Sequence, residues 1–311
     1  MNKAGENWDL ARAFLAVLEA GSLSGAARSL GLTQPTVGRQ IEAFETRIGV
    51  PLFTRSRHGV KPTRAALDLL PHAETMAAAM AALERSASGE AGQARGTVRL
   101  TAAELVGAAV LPPMLTRFHA AHPHIALELV LSDRIQDLLR HAADIAVRMV
   151  RPSQTALVAR HIGPVPISLY AHRTYIARHG MPTTTADLTT HTIIGFDADP
   201  SVADMVAAQA RPVSRDTFNL RTDSGMAQFE AVLAGYGVGG CQDALARRHP
   251  DLVPVLHGDF RIMLDCWVVM HEDLRTSHRV RLLFDHLVAE LTAYYQNAAE
   301  TRPKRVPAQA T

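Results

Sequence analysis

The chain has 311 residues, of which 47% are hydrophobic and 20% charged, with a formal net charge of +2 at pH 7. These values predict two or three globular domains with sizeable cores. No window holds the roughly eighteen uninterrupted apolar residues of a membrane helix. The start, MNKAGENWDL, lacks the pattern of a secretory signal. Cys241 and Cys266 are too few for a disulfide framework, which indicates the cytoplasm.

The charge is unevenly distributed along the chain. Residues 1–66 hold nine Lys/Arg and five Asp/Glu, a net charge of +4, whereas the remainder carries −2. A basic segment leading a near-neutral body suggests a polyanionic partner for the front end only. An ordinary solvated surface would also tolerate four charges, so this observation alone does not decide the function.

Three short helices separated by glycines are predicted for residues 8–48. Apolar residues recur at helical spacing in the first and third helices. Gly21 ends the first helix, and Ser22 or Ser24 is placed to cap the second. After Gly31, Thr33 caps the third helix, which has a proline in its first turn. The spacing is typical of a helix-turn-helix.

In such a unit the third helix enters the major groove with its N-terminal residues at base edges. Gln can read adenine, Arg can read guanine, and Thr or Val can pack on a thymine methyl. A turn and a basic loop follow, as in a wing that meets the phosphates. The alternative is a three-helix core with polar residues outside. The predicted DNA contacts are Ser24, Thr33, Gln34, Pro35, Thr36, Val37, Gly38, Arg39, Gln40, Arg55, Arg57, His58 and Lys61.

Residues 8–66 resemble the LysR-type transcriptional regulators. The resemblance is carried by Phe14 and by the segments GSLSGAARSLGLTQPTVGRQIEAFE, IGVPLFTR and KPTRAA. Gly38 departs from it, because the family commonly has serine there, and TRAALDLL replaces the usual alanine-glycine after the threonine. The resemblance implies a homodimer or homotetramer that binds double-stranded DNA at an interrupted inverted repeat. It also implies a small-molecule effector and access to RNA polymerase, without a membrane or cofactor.

A long helix with a seven-residue apolar repeat is predicted from Thr63 to Ser88. Pro71 lies inside it and is expected to kink its first turns. The narrow, alanine-rich seam favours pairing with a second copy, as the resemblance also implies, over packing on its own domain. The predicted dimerisation residues are Leu69, Ala73, Met76, Met80 and Leu83.

From residue 97 onward, short apolar runs alternate with helical patterns, which predicts a mainly parallel sheet covered by helices. The resemblance implies two α/β subdomains similar to a periplasmic binding protein, and it extends to about residue 292. Ligands of such sheets sit beyond the carboxyl ends of the strands. The effector candidates therefore follow or precede strand ends: Thr101, Ala103, Glu104, Ser132, Asp133, Arg148, Phe196, Asp197, Thr222, Asp223 and Ser224.

Glu104 has a specific consequence for the effector. A carboxylate there would repel an anion, so we expect either that the effector is not a simple carboxylate or that Glu104 pairs with Arg148. The alternative is that Glu104 only caps its helix.

Several other patterns predict no site. GYGVGG matches GxGxxG, but it follows a helical run and precedes a strand, the reverse of a dinucleotide-binding turn. His119, His122 and His124 lack companion ligands at metal-site spacing. No nucleophile–base motif is present, so an enzyme is not predicted. A solute-binding protein that uses the cleft alone is the other rival, and the attached DNA module argues against it.

The predicted fold class is an N-terminal all-α winged helix-turn-helix with a long linker helix, followed by a C-terminal α/β effector-binding domain of two subdomains. The predicted boundaries are a DNA-binding domain over 1–62, a linker helix over 63–88, a hinge over 89–96, an effector-binding domain over 97–295 and a disordered tail over 296–311.

Overall fold

The computed structural model describes residues 3–56, 59–87, 94–132, 143–152, 157–197, 215–256 and 260–300. The chain divides into two compact units, one of Met1–Ser88 with Gln136–Ala143 and one of Gly89–Ile135 with Asp144–Thr311. Among the described residues, no helix is both long and apolar enough to cross a membrane.

In the described part of the first unit there are four helices and one hairpin. The elements are α1 (Lys3–Ala20), α2 (Leu23–Leu30), α3 (Gln34–Ile48), β1 (Phe53–Ser56), β2 (Gly59–Pro62) and α4 (Arg64–Ala87). Phe14 is fully buried between the rings of Phe44 and Phe53. Ala26 and Ala27 are buried as well, and their small side chains let α2 lie close to α1 and α3. The predicted helix-turn-helix with a wing is therefore present in the structure.

The linker helix α4 has two different halves. In the first half Ala66 and Ala73 are buried, and they pack with Leu69 against the core of their own unit. In the second half Met76 is 44% exposed and Leu83 is 62% exposed. The helix is continuous through Pro71. Packing on the home domain thus accounts for the first half of the predicted seam, whereas in the second half Met76 and Leu83 are exposed and Met80 is half-buried.

The second unit alternates strands and helices. Its elements are β3 (Gly96–Ala102), a π-turn (Val106–Val110), α5 (Leu111–Ala121), β4 (Ile125–Leu131), β5 (Ile145–Arg148), β6 (Leu157–His172), α6 (Arg173–His179), β7 (Ile194–Gly195), β8 (Leu220–Arg221), α7 (Gly225–Leu233), β9 (Gly239–Gln242), α8 (Asp243–Ala246), β10 (Leu252–Val255), β11 (Ile262–His271) and α9 (His278–Glu300).

The main sheet has seven strands in the order β10-β6-β11-β5-β3-β4, and β9 also pairs with β6. Only β3 with β4 and β3 with β5 are parallel, because β6 pairs antiparallel with β9, β10 and β11. The prediction of a mainly parallel sheet is therefore wrong for this sheet. The two long strands β6 and β11 pair antiparallel, from Leu157 opposite His271 to Ile167 opposite Ile262.

Within β6 the apolar run covers only residues 167–170, and it is preceded by Gly163, Pro164 and Pro166, which are unfavourable inside a strand. The structure shows why the prolines are tolerated. Both prolines pair with β11 on one edge of β6, and no described strand pairs with them on the other edge. Strands β9 and β10 pair with β6 only from Ile167 onward, and because both lie opposite Leu169 and Tyr170, they occupy opposite edges there. A proline has no backbone N–H group to donate, and that donor is not needed at an edge where no strand pairs.

Three apolar cores are found among the described residues of this unit. One is formed by β3, β5, α5, β11 and α9 and includes Phe118 and Leu287. The second lies around the second half of β6 with α7, β9 and α8, and includes Tyr170 and Phe229. The third also packs on that half of β6 and includes Tyr175. The first core corresponds to one α/β subdomain of the predicted fold class, and the other two correspond to the second. Helix α9 continues to Glu300, so residues 296–300 are helical rather than part of a disordered tail.

Candidate nucleic-acid interface and effector site

Helix caps fix the start of α3. Ser22, not Ser24, caps α2 by accepting a hydrogen bond from Gly25 N at 3.1 Å. Gly31 ends α2 with φ +67, which glycine adopts at little cost. Thr33 Oγ1 accepts from Thr36 N at 3.4 Å and lies 2.8 Å from Thr36 Oγ1. Thr33 thus caps α3, as predicted, and Thr36 supplies the N–H group that donates to it.

Ser24 is the alternative cap residue that the sequence suggests for α2, but in the structure it has a different role. Its hydroxyl donates to Gln34 Oε1 at 3.0 Å, across the turn between α2 and α3. Both side chains are exposed. The bond occupies one lone pair of the amide oxygen and turns the Gln34 NH2 group, a double donor, away from Ser24.

The predicted DNA contacts on α3 separate by exposure. Gln34, Pro35 and Arg39 are exposed and Gly38 is half-buried. Val37 is 0% exposed and packs in the core, so the prediction that it contacts a base is wrong. Val37 lies on the same face as the buried Ile41, one turn further on, and this face is turned away from the exposed one.

Gln40 is also half-buried, and its Oε1 is buried without a hydrogen-bond partner among the described residues. Because its side chain is half-buried whereas that of the neighbouring Arg39 is exposed, Gln40 is a poorer candidate for base contact than the exposed side chains of α3.

The wing is anchored by α3. Glu45 Oε1 accepts from Leu52 N at 2.7 Å and from Phe53 N at 3.1 Å, where the chain enters β1. Lys61 lies opposite Thr54 in the β1–β2 hairpin and is exposed. Arg57 and His58 lie outside the described residues, as does the side chain of Arg55. Glu45 was not among the functional residues predicted from the sequence. The available signal was an acidic side chain near the end of a helix, shortly before an apolar pair.

In the second unit, one cluster of predicted effector residues centres on Arg148. The guanidinium is buried and donates to Thr101 Oγ1 at 3.1 Å and to the Ser132 carbonyl at 2.9 Å. The ends of β3, β4 and β5 are thereby held together. The main chain contributes as well, since Ala103 N donates to Val147 O. Asp133 lies outside the described residues.

A second cluster centres on Glu104. Its Oε2 accepts from Ser224 Oγ at 2.8 Å and from Met226 N at 3.4 Å, at the first turn of α7. Ser224 caps the same helix by accepting from Ala227 N at 3.1 Å. A carboxylate at a helix N-terminus is stabilised by the unpaired N–H groups and the helix dipole. Glu104 lies at the start of the helical segment that follows β3. Its side chain caps a different helix, whose cap residue Ser224 is 120 residues further along the chain.

The remaining predicted effector residues lie near the start of α7. Asp197 N donates to Asp223 Oδ1 at 2.9 Å, and Ser224 N donates to Thr222 Oγ1 at 3.2 Å. Phe196 is half-buried. The sequence analysis missed Gln228, a buried side chain whose Nε2 donates to the Thr222 carbonyl at 2.6 Å.

The patterns that predict no site have simple structural explanations. Gly235 follows α7 with φ +74 and β9 begins at Gly239, so GYGVGG links a helix to a strand in that order. Across the described residues, no three His, Cys, Asp or Glu side chains are grouped to hold a metal ion.

Two family models together cover most of the chain. The one described as "Bacterial regulatory helix-turn-helix protein, lysR family" matches residues 8–67, and "LysR substrate binding domain" matches residues 91–292. The chain belongs to the LysR family. It is therefore a transcriptional regulator with a helix-turn-helix DNA-binding part and an effector-binding part, as the sequence predicts. The family is one of regulators rather than enzymes.

Individual LysR-type relatives agree with this assignment. An HTH-type transcriptional regulator of Xanthomonas campestris pv. campestris (strain 8004) is 31% identical over 61% of this chain and 55% of its own length. CrgA of Neisseria meningitidis serogroup C (strain 8013) is 28% identical over 89% of this chain and 95% of its own. The solved CrgA structure, from Neisseria meningitidis, is 26% identical, with a TM-score of 0.58 over 91% of this chain and 98% of that one.

A full-length structure of CbnR complexed with its target DNA has the same fold. It covers 91% of this chain and 99% of its own, with a TM-score of 0.61 at 18% identity. At that identity the likeness concerns the fold alone.

Proposed function

We propose that this LysR-type regulator reads its operator with the N-terminal turns of α3, and that an effector bound between the two α/β subdomains modulates that binding. The exposure of Gln34 and Arg39 on one helix, beside the wing with exposed Lys61, supports the first part. Gln34, Pro35 and Arg39 face bases in this proposal, whereas wing residues contact phosphates and supply position without sequence information.

The proposed assembly is a dimer through the second half of α4, with Met76, Met80 and Leu83 in the seam. Pairing there would present two copies of α3 to the two halves of an interrupted inverted repeat, about 34 Å or a multiple of that apart. The effector would act through its difference in affinity for two arrangements of the assembly. The DNA spacing or bend would change, and with it the access of RNA polymerase. A tetramer would join two such dimers, and the compartment is the one that holds the DNA, the cytoplasm.

We further propose that the effector is not a simple carboxylate held at the N-terminus of α7. The Glu104 carboxylate occupies that position and accepts from Ser224 Oγ and Met226 N, so a second anion would be repelled. The polar groups around Thr101, Arg148 and Ser132 form the other wall of the proposed site. Titration calorimetry of wild type and Glu104→Gln against a confirmed effector tests this. Unchanged affinity would remove Glu104 from the effector site.

The first experiment is selection of bound genomic DNA fragments by the purified protein at near-physiological salt. We expect one interrupted inverted repeat to be recovered, and binding that is only sequence-blind and salt-sensitive would contradict the proposal.

Arg39→Ala should then weaken binding to the recovered operator by about 1–3 kcal/mol and relax base preference at one position. The matched control is Arg47→Ala, which removes one exposed charge from the last turn of the same helix. It should affect cognate and random DNA alike. Equal losses on both DNAs for Arg39→Ala would assign Arg39 to a phosphate instead.

A further inference from the structure

The exposed face of α3 carries a notch at the position of Gly38. The notch holds about 220 Å³ and is lined by Leu23, Gln34, Pro35, Gly38, Arg39 and Glu42. The other lining residues have side chains around the notch, whereas Gly38 has none. A glycine at this position inside a helix therefore needs an explanation.

The fold itself does not require that glycine. Gly38 is not among the glycines with positive φ, so an L-residue fits its backbone conformation. A Cβ built at Gly38 would meet no atom within 4 Å, so it also fits the space. Glycine inside a helix destabilises it relative to alanine, because more backbone freedom is lost on folding. The position therefore forgoes stability that any small side chain would supply.

The notch is suited to an apolar group presented by the major groove. Leu23 and Pro35 supply apolar walls, and Gly38 adds no polar side chain. Arg39 and Glu42 also line the notch, so its rim carries one charge of each sign and has no net charge to attract a phosphate. Within the major groove the only apolar group of the base edges is the C5-methyl of thymine.

The rim of the notch supports a base edge in the same place. Gln34 lines the notch, and because its Oε1 accepts from the Ser24 hydroxyl, its NH2 group is the part left to donate to a base edge. Thymine offers an acceptor, O4, next to its methyl group in the major groove. One thymine could thus meet the notch through its methyl group and Gln34 through O4.

We propose that Gly38 is a specificity-determining residue, and that the notch it leaves on α3 receives the C5-methyl group of one thymine in each operator half-site. This inference rests on the proposed function, because it assumes that α3 reads bases. Beyond the proposed function, it names the chemical group on the DNA that is recognised. It also identifies a residue that determines specificity because it has no side chain.

The test uses the full-length protein and the operator obtained by selection, with each thymine replaced in turn by deoxyuridine. That replacement removes one methyl group and leaves the hydrogen-bonding edge unchanged. One position in each half-site should lose affinity about fourfold, the factor expected for burying about one methyl group. Gly38→Ala should bind the thymine operator about tenfold more weakly because the notch is filled. The same variant should also lose most of the difference between thymine and deoxyuridine.

Two controls separate this effect from damage to the protein. Gly38→Ala should raise the melting temperature, so weaker DNA binding would not be due to unfolding. Ala43→Ser adds one atom to an exposed position on α3 that does not line the notch, and it should keep the wild-type response to deoxyuridine. A wild type that selects no sequence overturns the proposed function and this inference together. A wild type that selects an operator but shows no deoxyuridine effect, or a Gly38→Ala variant with the full wild-type effect, overturns the notch alone.

Discussion

Glu45 and Glu104 each accept hydrogen bonds from backbone N–H groups outside their own helix. Glu45 receives Leu52 N and Phe53 N, and Glu104 receives Met226 N together with the Ser224 hydroxyl. Hydrogen bonds to a charged acceptor are stronger than those between neutral groups. In each case a single side chain joins two segments that the local sequence does not link.

Glu45→Ala should lower the free energy of unfolding of the DNA-binding unit by about 1–3 kcal/mol, because two N–H donors lose a charged acceptor. Chemical denaturation followed by circular dichroism measures the loss. Glu19→Ala removes an exposed carboxylate from the end of α1 and is the matched control, with an expected change within about 0.5 kcal/mol. Equal stability of the two variants would show that Glu45 does not fix the wing.

The thiols of Cys241 and Cys266 should be unreactive in the folded protein. Burial raises the pKa of each thiol to about 12. The reactive thiolate is therefore scarce near neutral pH. Thiol-specific reagents should label both cysteines in urea and neither in the native state. Operator binding should survive hydrogen peroxide, and a loss of binding that a reductant reverses would contradict this prediction.

The same thiols give a pH dependence of stability. Their pKa is higher in the folded state than the ordinary value of 9.0, so folding favours the neutral form. The contribution is complete below pH 9, and it is lost as the pH rises from there toward about 12. The Cys241→Ala and Cys266→Ala variants should show a smaller fall in melting temperature over that range than wild type does.

At the scale of elements, the junction of β6 and β11 combines a glycine and a bulge. Gly163 has φ +144, a region that only glycine adopts readily, and it pairs with Cys266 where the register of β11 shifts before Trp267. The two longest strands of the sheet therefore change direction locally at one point, inside the first core, which includes Ile162, Val165 and Cys266.

Gly163→Ala should destabilise the second unit by about 1–3 kcal/mol, because alanine is strained at that backbone conformation. Gly240→Ala is the matched control on the neighbouring strand β9. Gly240 has no positive φ, and a Cβ there would lie 3.5 Å from Ile167 Cγ2, an ordinary contact. Thermal denaturation of the full chain should rank Gly163→Ala well below Gly240→Ala. The reverse order would show that the bulge absorbs the strain.

At the scale of the whole molecule, the exposed apolar side chains in the second half of α4 predict self-association. Replacing Met76 and Leu83 by lysine should weaken the dimer at least about tenfold, because two apolar side chains per copy are lost from the seam. Sedimentation velocity over a range of concentrations measures this. Leu67→Lys is the control, since Leu67 is 48% exposed but lies about 160° around the helix from Leu69. A double variant that sediments as wild type would place the interface elsewhere.

The sequence alone determined the DNA-binding unit in most respects. Its signals are local: a cap at Thr33, glycines at 21 and 31, and apolar spacing within each helix. Interactions over three or four residues fix such features, so the sequence carries them directly. The same holds for the helix-to-strand order around GYGVGG. Val37 is the exception, because its position in the first turns of α3 suggested a base contact while its side chain faces the core.

Tertiary structure decided the features that join distant parts of the chain. The length of β6 depends on which of its edges β9, β10 and β11 occupy, and this pairing overrode the local effect of Pro164 and Pro166. Glu104 caps a helix 120 residues away, and the notch at Gly38 exists only because α2 places Leu23 beside α3. Periodicity reports which face of an element is apolar, but not which neighbour covers it. That choice depends on packing and pairing across the fold, where the physical interactions are non-local.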